Sequence, residues 1–262
     1  MRLDGQVIIV TGSAQGIGAE YARAVVAEGA RVAVADINLD KARTTAAKLG
    51  PGAKAFQVDV TSEESCAALA AAVAAEFGGI DGLVNNAAIF YGIQMLPLME
   101  VPLDYWNKIM LTNMTSVLIC TRAVVPYLKQ RGKGKIVNQS STAAYTMGNH
   151  YTVSKRGVTH LTGGLAVELG PFNINVNAIA PGAIETEALL EHGAENLAFM
   201  ANNLQVFRRP ATPGDLTGTL VFLLSSDSDW ITGQTIIVDG GTMLNPVGLA
   251  ISAARARELE VK

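Results

Sequence analysis

The chain alternates short apolar runs rich in β-branched residues with longer amphipathic stretches, and this alternation constrains its fold more than any other feature. Continuously apolar strands separated by helices are typical of a parallel sheet covered by helices on both faces. Right-handed crossovers then give an α/β, doubly wound (Rossmann-type) fold. Seven strands are predicted: Val7–Val10, Arg31–Asp36, Ala53–Asp59, Ile80–Asn85, Ile136–Gln139, Ile174–Ile179 and Thr235–Val238.

Helices are predicted between these strands, the longest of them near 103–130 and 151–169. Before the third helix, Thr61 and Glu64 have the spacing of a capping box. No linker, repeat or low-complexity segment divides the chain, so residues 1–245 are predicted to form a single domain. Within it, 183–212 is interpreted as a substrate flap above the sheet, and 246–262 as a C-terminal extension.

Composition excludes several classes of protein. The 262 residues include only 16% charged side chains and carry a net charge of −3, so no basic surface for nucleic acid is expected. Cys66 and Cys120 are expected to be buried free thiols, and the histidines lack metal-ligand spacing. No uninterrupted apolar stretch is recognised as a signal peptide or a membrane span. A cytoplasmic enzyme without a metal is therefore expected.

A glycine-rich turn, Thr11-Gly12-Ser13-Ala14-Gln15-Gly16-Ile17-Gly18, follows the first strand and opens a helix. Glycines let backbone amides approach a pyrophosphate, and a helix N-terminus attracts its charge. The turn alone is also compatible with a simple strand-to-helix connection. Asp36 ends the second strand, where an acid accepts hydrogen bonds from both adenosine ribose hydroxyls. The combination favours a dinucleotide site.

Later strand ends extend this site. Asp59-Val60 ends the third strand, where a side chain would meet the adenine amino group. Asn85-Asn86-Ala87-Ala88 ends the fourth, and ligands of such sheets bind outside the carboxyl ends of the strands. Turn-forming asparagines are the alternative interpretation. The small residues after the doubled Asn favour a ribose instead.

Tyr151 and Lys155 are one helical turn apart and share a helix face. A neighbouring ammonium lowers the pKa of a phenol, which then exchanges protons with an alcohol or carbonyl oxygen. The pair alone is a common pattern on helix surfaces. Here a strand ending in Ser140-Ser141 precedes it, on the cofactor side of the sheet, and this favours a catalytic site.

Together these motifs resemble those of the short-chain dehydrogenase/reductase family, of the single-domain kind, over residues 3–245. The resemblance implies that Tyr151 is the acid in reduction and the base in oxidation, and that Lys155 lowers its pKa and holds the nicotinamide ribose. It further implies that Ser141 hydrogen-bonds the substrate oxygen and that Asn113 anchors a water that relays protons to Lys155. The matching motifs are Thr11-Gly12-x-x-x-Gly16-Ile17-Gly18, Asn85-Asn86-Ala87, Asn113, Ser141, Tyr151-x-x-x-Lys155 and Pro181-Gly182.

The implied cofactor is NAD. Asp36 would repel a 2′-phosphate, and Gln15, Ile37 and Asn38 supply no cation to bind one. Lys41 and Arg43, on the next helix, are expected to face solvent. The cofactor-binding residues are expected to be Gly12, Ser13, Gln15, Gly16, Ile17, Gly18, Asp36, Ile37, Asp59, Val60, Asn86, Ala87, Ala88, Tyr151, Lys155, Pro181, Gly182, Ile184 and Thr186.

Two departures from the family pattern occur. Asn-Asn-Ala-Gly is replaced by Asn85-Asn86-Ala87-Ala88, and nine residues separate Ser141 from Tyr151, about three fewer than is usual in the family. The shortening lies between catalytic groups, so Ser140 is an alternative contact for the substrate. Ser141 is favoured because the second serine of the pair aligns with the family's catalytic one.

The sequence thus predicts an oxidoreductase that transfers a hydride between NAD(H) and a secondary alcohol or ketone. Arg208 and Arg209 are the candidates for binding an anionic group. Alternatives are a 3-oxoacyl-thioester reductase and a non-catalytic nucleotide sensor; a serine hydrolase is excluded because no Gly-x-Ser-x-Gly motif is present. A homotetramer is expected from the family. A largely apolar substrate is favoured by Phe90, Tyr91, Met95, Met147, Phe199, Met200 and Phe207, each of which is equally compatible with core packing.

Overall fold

The computed structural model describes residues 1–90, 92–94, 96–146, 148–186 and 205–244. Seven parallel strands form one sheet in the order β3-β2-β1-β4-β5-β6-β7, which confirms the predicted doubly wound fold. The strands are β1 (Val7–Thr11), β2 (Arg31–Asp36), β3 (Ala53–Gln57), β4 (Gly82–Asn85), β5 (Gly134–Gln139), β6 (Ile174–Pro181) and β7 (Thr235–Val238).

Helices cover both faces of this sheet. A π-helical turn, Leu111–Thr115, joins α4 directly to α5, and a short 3₁₀ turn, Thr142–Tyr145, follows β5. The helices are α1 (Gly16–Ala27), α2 (Leu39–Leu49), α3 (Glu63–Phe77), α4 (Leu103–Met110), α5 (Ser116–Arg131), α6 (His150–Leu169) and α7 (Gly214–Leu224).

Alternate residues of each strand face opposite cores, as the two-residue period of a strand requires. Ile9 packs in one core with α3, α5 and α6, whereas Ile8 and Val10 pack in the other with α1, α2 and α7. Cys66 and Cys120 lie in the first core as buried free thiols, with their Sγ atoms 3.5 Å apart. A hydrophobic core therefore covers each face of the sheet, so the polar residues of a site are expected at the ends of the strands.

The start of α3 differs from the predicted capping box. Ser62, not Thr61, is the N-cap, and its hydroxyl accepts a hydrogen bond from the backbone N–H of Ser65. The Thr61 hydroxyl instead donates to Asp59 Oδ1. The prediction was wrong because two adjacent residues, Thr61 and Ser62, could both cap the helix. The Thr61 hydroxyl is bound to Asp59, so Ser62 caps it instead.

Leu103–Arg131 is a continuous helical stretch with the length and mean hydropathy, 1.4, of a membrane-spanning helix. No such stretch was recognised in the sequence. It arises because the π turn joins α4 and α5 without a break. Forty-four per cent of its most apolar window is buried inside the fold, where Val117, Val124 and Leu128 pack in the core. This is the environment of a core helix.

Candidate active site

A cleft of about 1110 Å³ opens over the carboxyl ends of the strands, between β1 and β4. At this point the strand order reverses, and open α/β sheets bind their ligands at such a switch point. The sequence-predicted residues that line it are Gly12, Gln15, Gly16, Ile17, Gly18, Asp36, Ile37, Asp59, Val60, Asn86, Ala87, Ala88 and Thr186.

The glycine-rich turn is shaped for a ligand backbone. Gly12 and Gly16 adopt positive φ angles, +62° and +59°. A Cβ added to Gly18 would lie 2.2 Å from the Gly12 carbonyl oxygen, so the turn closes tightly there. A Cβ on Gly16 would be 3.8 Å from Thr186 Cγ2 across the cleft. No acidic residue occupies the first turn of α1. These features fit a dinucleotide whose pyrophosphate lies at the α1 N-terminus.

Asn86 and Thr11 hold this turn against β4. Asn86 Nδ2 donates to the carbonyl oxygens of Thr11 and Gly12, both at 2.9 Å. The Thr11 hydroxyl accepts hydrogen bonds from the backbone N–H groups of Asn86 and Ala87. Asn85 is directed elsewhere: its Nδ2 donates to Asn138 Oδ1 at 2.9 Å. Asn86 therefore stabilises the glycine-rich turn, whereas Asn85 links β4 to β5 within the sheet.

Ser13 does not line the cleft. Its hydroxyl is buried, donates to the Val10 carbonyl oxygen at 2.6 Å and accepts from the Ala35 N–H at 3.0 Å. Both hydrogen-bonding roles of the hydroxyl are thus taken by the sheet. Ser13 fastens the turn to β1 and β2 and does not offer its side chain to a cofactor.

Asp36 ends β2 and lines the cleft. Its carboxylate accepts hydrogen bonds from the backbone N–H groups of Ala14 and Asn38, at 3.1 and 3.0 Å. Lys41, expected to face solvent, lines the same cleft, and its Nζ donates to Gln15 Oε1 at 3.0 Å. Lys41 is exposed, as expected, and it also borders the cleft because Asn38 caps α2 and places Lys41 in the first turn beside the glycine-rich turn.

The remaining cofactor candidates lie around the cleft. Asp59 Oδ1 accepts from the backbone N–H and the hydroxyl of Thr61, and these hydrogen bonds hold the pKa of Asp59 below its ordinary value. Pro181 ends β6, and the Gly182 N–H donates to the Val238 carbonyl oxygen. Ile184 is buried and forms a bridge to Ala211. Pro181, Gly182 and Ile184 lie outside the cleft lining.

The N-terminus of α6 fixes the catalytic pair. Asn149 Oδ1 accepts hydrogen bonds from the N–H groups of Tyr151 and Thr152, so the helix begins one residue before the tyrosine. Tyr145, the nearby alternative tyrosine, lies in the 3₁₀ turn with Arg156 over its ring. Lys155 is buried one turn after Tyr151, with its Nζ 5.8 Å from the centre of the phenol ring.

Burial dominates the ionisation of this pair. It raises the pKa of Tyr151 to about 12, and a hydrogen bond with Ser141 acts in the opposite direction. Burial also lowers the pKa of Lys155 to about 8. The lowering of the Tyr151 pKa by Lys155 that the resemblance implies is therefore not seen. The physical reason is that Lys155 Nζ donates to the Gln139 carbonyl oxygen, at 2.9 Å, rather than to the phenol.

The two serines after β5 have different partners. Ser140 is buried, and its hydroxyl contacts the Lys155 carbonyl oxygen at 3.1 Å and Thr159 Oγ1 at 2.9 Å. Ser141 accepts from the Ala143 N–H and hydrogen-bonds with Tyr151. The short connection to α6 thus leaves Ser141, and not Ser140, beside the phenol.

Asn113 lies in the middle of the π turn and is buried. Its Oδ1 accepts from the Ile89 N–H at 2.7 Å, and its Nδ2 donates to the Ile89 carbonyl oxygen at 2.9 Å. The side chain therefore holds the segment after β4. A single-turn π segment is frequent at functional sites, because it displaces the backbone locally.

The side chains predicted to contact the substrate have different environments in the structure. Phe90 lines the cleft and lies against Tyr151, with ring centroids 5.2 Å apart. Phe207 is 65% exposed. Arg209 forms an ion pair with Asp215, which competes with any anionic group of a substrate for this guanidinium. The predicted pocket residues Tyr91, Met95, Met147, Phe199 and Met200 lie outside the described residues.

Several cleft residues carried no sequence signal. α4 and the π turn contribute to its wall, although polar and apolar residues there follow an ordinary amphipathic pattern. The hydrogen bonds of Thr11 and Gln139 were likewise not predicted, because they join residues far apart in the chain. The additional lining residues are Asp104, Asn107, Lys108, Leu111 and Thr112.

Comparisons with known proteins found relatives that match nearly the whole chain. A family model described as enoyl-(acyl carrier protein) reductase matches residues 12–243. An uncharacterised oxidoreductase of Mycobacterium tuberculosis is 49% identical over 245 residues, covering 92% of this chain and 98% of the relative. Galactitol 2-dehydrogenase of Agrobacterium fabrum is 39% identical over 260 residues, covering 94% and 100% of the two chains.

A 3-alpha-(or 20-beta)-hydroxysteroid dehydrogenase of Mycobacterium tuberculosis is 37% identical over 245 residues, covering 92% of this chain and 91% of the relative. Among solved structures, the crystal structure of a short-chain type dehydrogenase/reductase from Mycobacterium marinum matches with a TM-score of 0.84 and 34% identity. That match covers 92% of this chain and 96% of the other.

Proposed function

The chain belongs to the short-chain dehydrogenase/reductase family, whose members use nicotinamide cofactors, and from this premise we propose that it moves a hydride between NAD(H) and a secondary alcohol or ketone. One observation carries the proposal: Tyr151 is hydrogen-bonded to Ser141 and lies one helical turn before Lys155. Its ring contacts that of Phe90, which lines the cleft. A phenol in that position exchanges a proton with a substrate oxygen.

When bound, the nicotinamide supplies or accepts the hydride. In reduction, Tyr151 Oη gives its proton to the carbonyl oxygen; in oxidation it takes the proton of the alcohol. Ser141 Oγ holds that substrate oxygen. Because burial keeps Tyr151 protonated at neutral pH, oxidation depends on the positive charge of Lys155, one helical turn away, to favour the phenolate.

NAD is preferred over NADP in this proposal. The Asp36 carboxylate, fixed by two backbone N–H groups, accepts hydrogen bonds from ribose hydroxyls and repels a 2′-phosphate. Lys41 offsets part of that repulsion because it lines the same cleft, although its ammonium is engaged by Gln15. We expect a preference of more than about tenfold in kcat/KM, which corresponds to about 1.4 kcal/mol.

The substrate we propose is largely apolar. Phe90 offers a partly exposed ring against the phenol, and Leu111 adds an apolar side chain to the cleft wall. A hydroxysteroid dehydrogenase among the relatives acts on such a molecule, whereas galactitol 2-dehydrogenase is named for a polyol. A second candidate is a reductase of 3-oxoacyl thioesters; the family model is described for a reductase of enoyl thioesters, which shares the acyl-thioester carrier but reduces a C=C bond.

The purified chain should be assayed with NAD and NADP against a polyol, a hydroxysteroid, a simple secondary alcohol and a 3-hydroxyacyl thioester. The absorbance of the reduced nicotinamide reports turnover. We expect turnover with NAD and the highest kcat/KM with an apolar alcohol. Binding of NADH without turnover of any of these would instead support a nucleotide sensor. Equal efficiency with both nucleotides would contradict the role of Asp36.

A further inference from the structure

A buried hydrogen bond joins the dinucleotide helix to the strand that carries the catalytic serine. Tyr21, in α1, donates from Oη to Gln139 Oε1, at 2.9 Å, across the sheet ends. Tyr21 is fully buried, and Gln139 is 7% exposed. A buried phenol hydroxyl requires a hydrogen-bond partner, because leaving it unpaired is costly. Gln139 satisfies that requirement.

The same residue holds the catalytic lysine through its backbone. Lys155 Nζ donates to the Gln139 carbonyl oxygen at 2.9 Å. The backbone N–H of Ser140 donates to the Ile179 carbonyl oxygen on β6. Because the peptide between Gln139 and Ser140 is trans, the Gln139 carbonyl points the opposite way, away from β6. On that side β4 has already ended, since its last pair is Asn85 with Asn138. The carbonyl therefore has Lys155 as its donor in place of a neighbouring strand.

The position of the ammonium consequently depends on one peptide group. The hydrogen bonds between β5 and β6 restrain this peptide group on one side only. The hydrogen bond from Tyr21 restrains the side chain of Gln139. Burial alone shifts the ionisation of Lys155, with no carboxylate contributing. The Gln139 carbonyl is thus the polar group in the described residues that stabilises the charged form of Lys155.

We propose that Gln139 is a positioning residue for Lys155, fixed by its side-chain hydrogen bond to Tyr21. Through Gln139, the helix that binds the pyrophosphate is tied to the lysine that serves the proton-transferring tyrosine. This inference rests on the proposed dehydrogenase function. The competing interpretation is that the bond merely satisfies a buried phenol and has no effect on Lys155.

Tyr21→Phe and Gln139→Leu break the same hydrogen bond from its two sides, and the double variant completes a thermodynamic cycle. Thr162→Val is the matched control, because it removes a buried hydrogen bond from Asn138, the neighbouring residue of β5, at 3.0 Å. We expect kcat to fall about tenfold in both single variants, with KM for the alcohol nearly unchanged and the double variant no worse than either. The control should lose stability but keep kcat.

A second readout does not depend on turnover. Loss of the carbonyl contact removes a stabilising partner of the ammonium, so the pKa of Lys155 should fall further. The pH at which the free energy of unfolding begins to rise should therefore move down, by about half a pH unit or more, in Tyr21→Phe but not in Thr162→Val. Tyr21→Phe removes a single oxygen atom and keeps this measurement accessible if Gln139→Leu does not fold.

Unchanged kcat and an unchanged pH dependence of stability in Tyr21→Phe would overturn the positioning role. Additive losses in the double variant would do the same. Failure of the proposed function looks different: the wild-type chain would bind NADH and turn over no alcohol, while the stability measurement would still report on Gln139 and Lys155.

Discussion

Burial shifts the pKa of Tyr151 and that of Lys155 in the direction that favours the neutral form of each. Burial disfavours charge, so it raises the pKa of the phenol to about 12 and lowers that of the ammonium to about 8. A phenolate and an ammonium side by side would offset that cost. Proton transfer therefore depends on where Lys155 Nζ is held relative to the phenol, and in our proposal the Gln139 carbonyl fixes that position.

The first prediction is a pH dependence of stability due to Lys155. A lysine whose pKa is lowered from 10.5 to about 8 binds fewer protons in the folded state than in the unfolded state between those values. Its contribution to the free energy of unfolding therefore rises with pH through this window and is lost as pH falls through about 8. The shift corresponds to roughly 3 kcal/mol.

Lys155→Met should abolish that rise. The free energy of unfolding of both proteins should be measured with denaturant between about pH 7 and pH 10. The upper limit is set because Tyr151 begins to titrate in the unfolded state near pH ~10. The difference in unfolding free energy, variant minus wild type, should decrease steadily as pH increases. A constant difference across the window would show that Lys155 is not buried as an ionisable group.

The second prediction separates the two serines. Ser141→Ala should lower kcat by at least about a hundredfold, because its hydroxyl lies beside the phenol. Ser140→Ala should cost stability, of order 1 kcal/mol, since its hydroxyl is buried between Lys155 and Thr159. Steady-state kinetics and thermal unfolding of the two variants decide this. A larger loss of kcat in Ser140→Ala would show that the short loop shifts the register of the catalytic groups.

At the scale of elements, strands and helices follow from local patterns, whereas their junctions do not. All seven strands were predicted; β1, β4 and β5 are buried along their whole length, whereas the edge strands β3 and β7 are partly exposed. The π turn had no sequence signal: its backbone is held by Asn113, whose hydrogen bonds to Ile89 form only in the folded chain. The Tyr21–Gln139 bond links residues 118 positions apart, which no local pattern reports.

The third prediction concerns the glycine turn as an element. In Gly18→Ala, the new methyl would lie 2.2 Å from the Gly12 carbonyl oxygen and 2.5 Å from Asn86 Nδ2. Relief of that overlap requires the turn to open, at a cost of about 3 kcal/mol. NADH binding, measured by fluorescence, should weaken at least about a hundredfold for this reason.

Gly218→Ala in α7 is the matched control, because open space surrounds its added methyl and the residue is exposed. It should stabilise the fold by up to about 1 kcal/mol through helix propensity and leave NADH binding unchanged. Normal NADH affinity in Gly18→Ala would contradict the placement of the dinucleotide at this turn. Weakened affinity in both variants would point to a general effect of the substitution.

At the scale of the whole molecule, the order of the strands brings separate motifs together. The glycine turn, Asp36, Asn86 and the end of β5 meet because β1 lies beside β4 and β4 beside β5. The sequence predicted this convergence from the doubly wound topology. It did not predict that Lys41 lines the cleft, because the capping of α2 by Asn38 sets the direction of that side chain.

The fourth prediction is a homotetramer in solution. Leu103 on α4 and Val167 on α6 are 77% and 81% exposed, and exposed apolar side chains on adjoining helices are typical of an interface. Gly163 and Gly164 leave open space on α6, whereas Gly157 is used inside the fold, where an added methyl would meet Met114. Light scattering at micromolar concentration should give four times the 27.5 kDa chain mass.

Val167→Glu should shift that mass downward, since four buried charges would be introduced at the interface. Glu168→Gln, a change at the neighbouring exposed position, serves as the control and should leave the mass unchanged. A monomeric mass for the wild-type chain would contradict the assembly.

The central claim is that the phenol of Tyr151 transfers the proton, and Tyr151→Phe tests it most directly. The variant keeps the ring that packs against Phe90 and loses only the hydroxyl. Turnover of the best alcohol and the NADH dissociation constant should be measured together on the wild-type and variant proteins. The account predicts a fall in kcat of at least about a thousandfold with NADH affinity changed less than about threefold. Near-normal turnover by Tyr151→Phe would contradict it.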